Sequence, residues 1–417
     1  MYDCRLNRLL LLVIQLGFVS SLLAGEIPIV KPEQAGLSSK KLAKVDRVME
    51  SFVANGKLAG GIVIVAHQGK IGYFNTYGHR NVEASEPMTR DTIFRIYSMT
   101  KSITTAAALI LYEQGKLDLD APVYRYIPVL KDMKVYSADG NHPPKRAPTV
   151  RDLMRHTAGI DRGGSDPVGK MYRENKVRDA KDLQEMADRI SRTALKYEPG
   201  TDWYYSLSIS LLGLVIENIS GQSLDRFFAE RIFKPLDMTD TGFFVPANKV
   251  DRFAANYRRG KDGKLKLVDD PQKSKYLKKP TLLSGGGGLV STARDYMRFL
   301  MMILNDGELL GARILKPSSV KLMKTDQLPK EAFPIYFGDQ VRHGTGFTLG
   351  FSVSTADTEW DPAGRIGEFG WGGAASTHYW CSPKDDLIVV TLEQTVPYNF
   401  DTEFAVKGLI YDSIIKK

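Results

Sequence analysis

Hydrophobic positions change their spacing along this chain, and each change predicts a different element. In 38–54 the apolar residues Leu42, Val45, Val48, Met49 and Phe52 recur three and four positions apart, which predicts one buried helix face. Two apolar runs then flank His67-Gln68-Gly69, at 61–66 and 70–74, a pattern that predicts a hairpin. A helix follows over 98–114, apolar on more than one face and stopped by Gly115. Between about 118 and 320, short helical stretches at 151–156, 180–193, 209–220, 224–232 and 293–304 alternate with long loops. Strand patterning returns at 347–354, 364–369, 376–382 and 387–393, and a last helix covers 400–415.

Strands at both ends with helices between them predict an α+β fold. One antiparallel sheet is built from the N- and C-terminal segments and flanked by helices, with a mainly helical lobe inserted into it. The expected division is a single domain over 26–417, with a sheet lobe from about 26–95 and 330–417 and a helical lobe over 96–329.

The first 25 residues stand apart. Arg5 and Arg8 precede the apolar run Leu9 to Val19, and the small residues Ser20, Ser21, Ala24 and Gly25 follow. This order is that of a secretory signal peptide, and the run is short for a membrane span of about 20 residues. It predicts export to the periplasm or the extracellular space, with no stable membrane span after cleavage. Beyond that segment Cys381 is the only cysteine, so no internal disulfide can form and the fold must rest on its core. The six histidines show no metal-binding spacing, and no metal or cofactor is expected. Net charge is +9, much of it in 258–279. That segment lacks a nucleic-acid-binding module and is expected to be a solvated loop.

Serine three residues before lysine puts a hydroxyl and an amine on one helical face, where the amine can take the proton during nucleophilic attack. The spacing occurs at Ser38/Lys41, Ser98/Lys101, Ser318/Lys321 and Ser413/Lys416. Context separates them. Only Ser98 opens a helix apolar on several faces, where a lysine near the start is costly to bury without a role. Burial would also move its titration toward neutrality, as a base requires. Two further segments carry compatible chemistry. Trp203-Tyr204-Tyr205 follows the turn Glu198-Pro199-Gly200, and a phenol beside a lysine titrates jointly with it; Tyr204 and Tyr205 are rivals for that place. Gly370-Trp371-Gly372-Gly373, read as an edge strand, offers close backbone approach and N–H donors that with the Ser98 N–H can hold an oxyanion.

Taken in order, Ser98-Met-Thr-Lys101, Tyr205-Ser-Leu207 and Trp371-Gly-Gly373 resemble the motifs of the penicillin-recognising serine hydrolases. That family includes class C β-lactamases, DD-carboxypeptidases and family VIII carboxylesterases. His156-Thr-Ala-Gly159, Glu198-Pro-Gly200 and the glycine run from Ser284 to Thr292 also look like this family, and the similarity spans about 30 to 415. The resemblance implies Ser98 as nucleophile, Lys101 and Tyr205 as its base pair, and the N–H groups of Ser98 and Ala374 as the oxyanion hole. Trp371, Gly372 and Gly373 then form the substrate-binding strand. The relatives usually carry Lys-Thr-Gly or His-Thr-Gly there, whose cation attracts a substrate carboxylate, and Asn where Leu207 stands. Trp371 makes the expected substrate a small carboxylic ester with an apolar acyl group, unless Arg365 or His378 supplies a charge from elsewhere. His378 itself reads as a packed strand residue. The alternative is a β-lactamase or DD-carboxypeptidase acting on β-lactams or peptidoglycan stem peptides. A binder that has lost turnover, and acyl transfer to an acceptor other than water, are further readings. No Gly-x-Ser-x-Gly elbow supports an α/β-hydrolase.

Overall fold

A computed structural model describes residues 25–338 and 340–415. The predicted signal segment, apart from Gly25, lies outside the described residues. An eight-stranded antiparallel sheet organises the fold. From the N-terminal side it takes β1 (Gly60–His67), β2 (Lys70–Asn81) and β3 (Glu86–Pro87); from the C-terminal side β4 (Thr345–Phe347), β5 (Ser352–Ser354), β6 (Phe369–Gly373), β7 (Thr377–Ser382) and β8 (Leu387–Glu393). Their spatial order is β4-β5-β6-β7-β8-β1-β2-β3. The two ends of the chain meet at the β1–β8 pair, where Gly61 faces Glu393 and His67 faces Leu387. The α+β sheet expected from the apolar pattern is the sheet observed.

Both faces of that sheet are covered, which explains the unbroken apolar run in β1. Ile62, Ile64 and Ala66 enter the large core shared with the inserted helices. Val63 and Val65 point the other way, into a second core with helices α1 (Ser39–Ala54) and α5 (Asp401–Ser413). Ser38 starts α1 as its N-cap, accepting the Lys41 N–H. On the large-core side stand α2 (Thr100–Glu113), α3 (Ser208–Ser220) and α4 (Ala293–Leu304). Helix α4 falls inside the stretch read as the helical lobe yet packs on β8 and β1, while α2 packs on α3.

Three expectations about elements change. The strand read over 347–354 is two short strands, because Thr348 N–H bonds to Phe351 O and turns the chain between β4 and β5. The strand read at 364–369 begins only at Phe369, since Gly364 and Glu368 close turns onto Asp361 and Arg365. Strand β6 is also not an edge strand: it lies third in the sheet, between β5 and β7. Its pairing with β5 stops at Phe369 and Gly370, however, so Trp371, Gly372 and Gly373 are paired on the β7 side alone.

The basic stretch 258–279 is not a plain loop. Asn256–Arg259 and Leu265–Asp269 form a hairpin extended in parallel by Thr395–Val396. Among the described residues no helix is long and apolar enough to cross a membrane.

Candidate active site

Ser98 sits in a 3-10 turn, Tyr97–Met99, that runs directly into α2. Tyr97 has a φ of 41°, a left-handed conformation unusual for a bulky residue and held here by the surrounding structure. Three residues before the serine, Arg95 is fully buried and ties this turn to the basic hairpin by bonding Asp269 Oδ2 at 2.8 Å and Ala254 O at 2.6 Å. From the other side the Tyr296 hydroxyl, on α4, donates to Met99 O at 2.9 Å.

One helical turn later, Lys101 is 4% exposed and points back at the serine. Its Nζ donates to Ser98 Oγ at 3.2 Å and to Gly286 O at 2.5 Å, and it lies 4.6 Å from the centre of the Tyr205 ring. The glycine run within Ser284–Thr292 thus supplies an acceptor that aims the amine. Gly286 is there because a Cβ would lie 2.8 Å from Ser210 Oγ. Among the described residues neither Ser38/Lys41 nor Ser318/Lys321 makes such a contact, Lys41 Nζ donating instead to Asp412 O; Lys416 lies outside the described residues.

The tyrosine loop is held by the two motifs that precede it. Tyr204 N–H donates to His156 O at 3.0 Å and Gly200 N–H to Thr157 O at 2.8 Å. The His156 ring lies 4.8 Å from that of Tyr205, and burial together with the Lys101 charge keeps the imidazole neutral, well below its ordinary pKa. Tyr204 turns away toward Lys196, whose Nζ lies 4.5 Å from its ring centre, so Tyr205 is the phenol at the serine. The Tyr205 hydroxyl accepts the Trp371 indole N–H at 3.2 Å, a contact the sequence did not reveal. Among the described residues this hydroxyl has no direct hydrogen bond to Ser98 or Lys101; the lysine faces the ring instead.

Strand β6 passes close beside the nucleophile's turn. A Cβ at Gly373 would overlap the Ile96 carbonyl oxygen, so glycine is what permits this approach. Ser98, Trp371, Gly372, Gly373 and Ala374 line one cavity of about 270 Å³. Among the described residues neither the Ser98 nor the Ala374 N–H is taken up by a neighbouring backbone carbonyl. Both residues border the cavity.

Neither residue considered as a substitute cation fills that role. Arg365 is exposed and lies over the Tyr411 ring. His378 is buried on β7 against Tyr398 and Phe400, with its pKa pushed down to about 3 by burial and by Lys407. The cations that do line the cavity are Arg162, Arg342 and Lys407. Among the described residues no cluster of His, Cys, Asp and Glu could hold a metal ion.

The motif geometry agrees with comparison against known proteins. A family model described as Beta-lactamase matches residues 45–407. The chain belongs to the β-lactamase family of serine hydrolases. Protein Rv1367c of Mycobacterium tuberculosis is 37% identical over 365 residues, covering 85% of this chain and 90% of its own. Esterase EstB of Burkholderia gladioli is 30% identical over 378 residues, again 85% of this chain and 90% of its own. Among solved structures, EstCE1, described as a hydrolase with promiscuous acyltransferase activity, superposes with a TM-score of 0.78 at 26% identity. That match covers 89% of this chain and 99% of the other. The family, the fold and the enzyme class expected from the motifs are those found, and its relatives include esterases.

Proposed function

We propose that this β-lactamase-family hydrolase cleaves small carboxylic esters through an acyl-enzyme on Ser98. The observation that carries the reading is the Lys101–Ser98 hydrogen bond at the floor of a cavity walled by Tyr205 and Trp371. Lys101 accepts the Ser98 proton as Oγ attacks the ester carbonyl, and the N–H groups of Ser98 and Ala374 hold the developing oxyanion. Tyr205, beside the lysine, protonates the departing alcohol and then helps water release the acyl group. Similarity to EstB favours an ester over a β-lactam, and Trp371 occupies the place where β-lactam-processing relatives carry a cation.

Ser98→Ala is expected to lower kcat/KM on a short p-nitrophenyl ester by about 10³-fold or more while the protein keeps its melting profile. Substantial ester turnover in the purified variant would overturn the assignment, and faster hydrolysis of a chromogenic cephalosporin than of the ester would move it to β-lactams. Residues 1–25 support the further proposal that the enzyme is exported. Cell fractionation followed by N-terminal sequencing tests it, with protein confined to the cytoplasm and carrying an intact Met1 as the contrary result.

A further inference from the structure

One buried side chain in the cavity lies outside the proposed catalytic set and is unpaired among the described residues. Arg342 ends the hairpin formed by Ile335–Phe337 and Gln340–Arg342 and is 5% exposed, yet it lines the same cavity as Ser98. Three rings from three parts of the chain enclose its guanidinium: Phe337, Trp360 and Phe400, with centres at 4.7, 4.6 and 5.1 Å. Aromatic faces attract a cation, but they do not replace the hydrogen bonds it loses on leaving water. The Nε and Nη2 atoms are buried without a hydrogen-bond partner.

The nearby acids face Lys407 instead, with Asp361 Oδ1 left without a hydrogen bond. Lys407 Nζ lies 2.5 Å from Asp361, 2.6 Å from Glu368 and 3.4 Å from Glu403. These three carboxylates converge on one ammonium, and among the described residues none is within 4.0 Å of the Arg342 guanidinium. Among the described residues this buried cation has aromatic walls and no acid in direct contact, Glu403 and Asp361 acting on it only from a distance, and it is therefore poised for an anion brought by a ligand. It also stands one ring from the chemistry, because Phe337 packs at 5.6 Å on Tyr205 and at 5.8 Å on Trp371.

We infer that Arg342 is a specificity-determining residue that binds a carboxylate carried by the substrate. The preferred substrate is then an ester whose acyl or alcohol part bears a carboxylate, lodged between Trp371 and Arg342. Trp371 does remove a cation from β6, but the fold returns one from a hairpin nearly thirty residues earlier. The inference rests on the ester-hydrolase reading for its substrate class, though anion binding at Arg342 is measurable without turnover.

Two isosteric pairs of esters test it. In one the carboxylate is on the acyl side, mono-p-nitrophenyl glutarate against p-nitrophenyl pentanoate. In the other it is on the alcohol side, 4-butyryloxybenzoate against its methyl ester. The ratio of kcat/KM for the anionic over the neutral member is expected to reach about 30-fold in at least one pair, in line with a charge-assisted hydrogen bond. That ratio should fall toward one in Arg342→Gln and be partly retained in Arg342→Lys. A misfolded variant lowers both members together and leaves the ratio unchanged. Calorimetric titration of Ser98→Ala with monoethyl glutarate supplies a second readout, with binding expected to weaken tenfold or more when Arg342→Gln is added.

Ester turnover with no anionic preference in either pair, or a preference that survives Arg342→Gln and disappears in Arg162→Gln, overturns the role of Arg342 and leaves the hydrolase reading intact. Arg342-dependent binding without turnover of any ester supports the anion site and overturns the hydrolase reading instead. Absence of both overturns both.

Discussion

Two buried lysines in this protein have the same side chain and nearly the same burial but opposite surroundings. Lys101, at the start of α2, meets a hydroxyl, a carbonyl oxygen and the face of a phenol ring. Lys407, on α5 behind the far end of the cavity, meets Asp361, Glu368 and Glu403. The three carboxylates hold the Lys407 ammonium firmly protonated, with its pKa above the ordinary lysine value. An amine so held cannot exchange its proton during a reaction; it organises structure. Among the described residues Lys101 has only neutral partners, one of them the proposed nucleophile, and on that proposal the amine takes up and returns a proton. Partners, rather than burial, separate the lysine proposed as catalytic from the structural one here.

The comparison breaks most severely at the catalytic pole. Lys101→Met removes the proton acceptor but keeps the apolar stem, and ester turnover is expected to fall by about 10³-fold with little change in Tm. Steady-state kinetics beside a melting curve measure both. The converse holds for Lys407→Met, which leaves three buried acids facing one another. A stability loss of about 3–5 kcal/mol in urea unfolding is expected, the range for stranding buried charges. A kinetic defect with unchanged stability would contradict the structural role given to Lys407.

Substitution at the strand gives a smaller effect. Gly373→Ala forces β6 away from the Ile96 carbonyl and so displaces the Ala374 donor relative to Ser98. A displacement of this kind costs about 10²-fold in kcat, readable as a fall in kcat larger than any change in KM.

The mildest test uses a buried acid with no cation against it. Glu393 Oε2 has no hydrogen-bond partner, and burial raises the carboxyl pKa to about 8 from an ordinary 4.5. The folded state therefore holds a proton that the unfolded chain releases, so this group's contribution is fully present below pH 4.5 and declines as pH rises toward 8. Glu393→Gln is expected to flatten the fall in Tm between pH 5 and pH 8, and an unchanged slope would show that the group does not control it.

How far the site was legible follows from how local each contact is. The Ser98–Lys101 pair is one helical turn, and α2 realises it with a 3.2 Å hydrogen bond. Helix α4 was readable to its observed ends because Thr292 caps it and its apolar spacing is regular. Other features depend on distant partners. The choice of Tyr205 over Tyr204 turns on Lys196 drawing the neighbour away. The place of β6 inside the sheet depends on Ser352 and Val353 pairing with it, and two-residue pairings leave almost no periodic trace. The hairpin within 258–279 carries few apolar positions to reveal it, since its partners are Thr395 and Val396.

Legible from the sequence were the sheet built from both chain ends, the one-turn Ser98–Lys101 pair proposed as nucleophile and base, and the neutral residue on β6. These are properties of periodicity and of motifs a few residues long, where neighbours in the chain are neighbours in space. Tertiary packing was needed to show that Gly286 aims the lysine, that Trp371 bonds Tyr205, and that Arg342 enters the cavity with no ion-pair partner among the described residues. Each of those joins segments far apart in the chain, and an arginine's role depends on whether an acid reaches it. Here Lys407 holds the acids, and Arg342 is left with three aromatic rings.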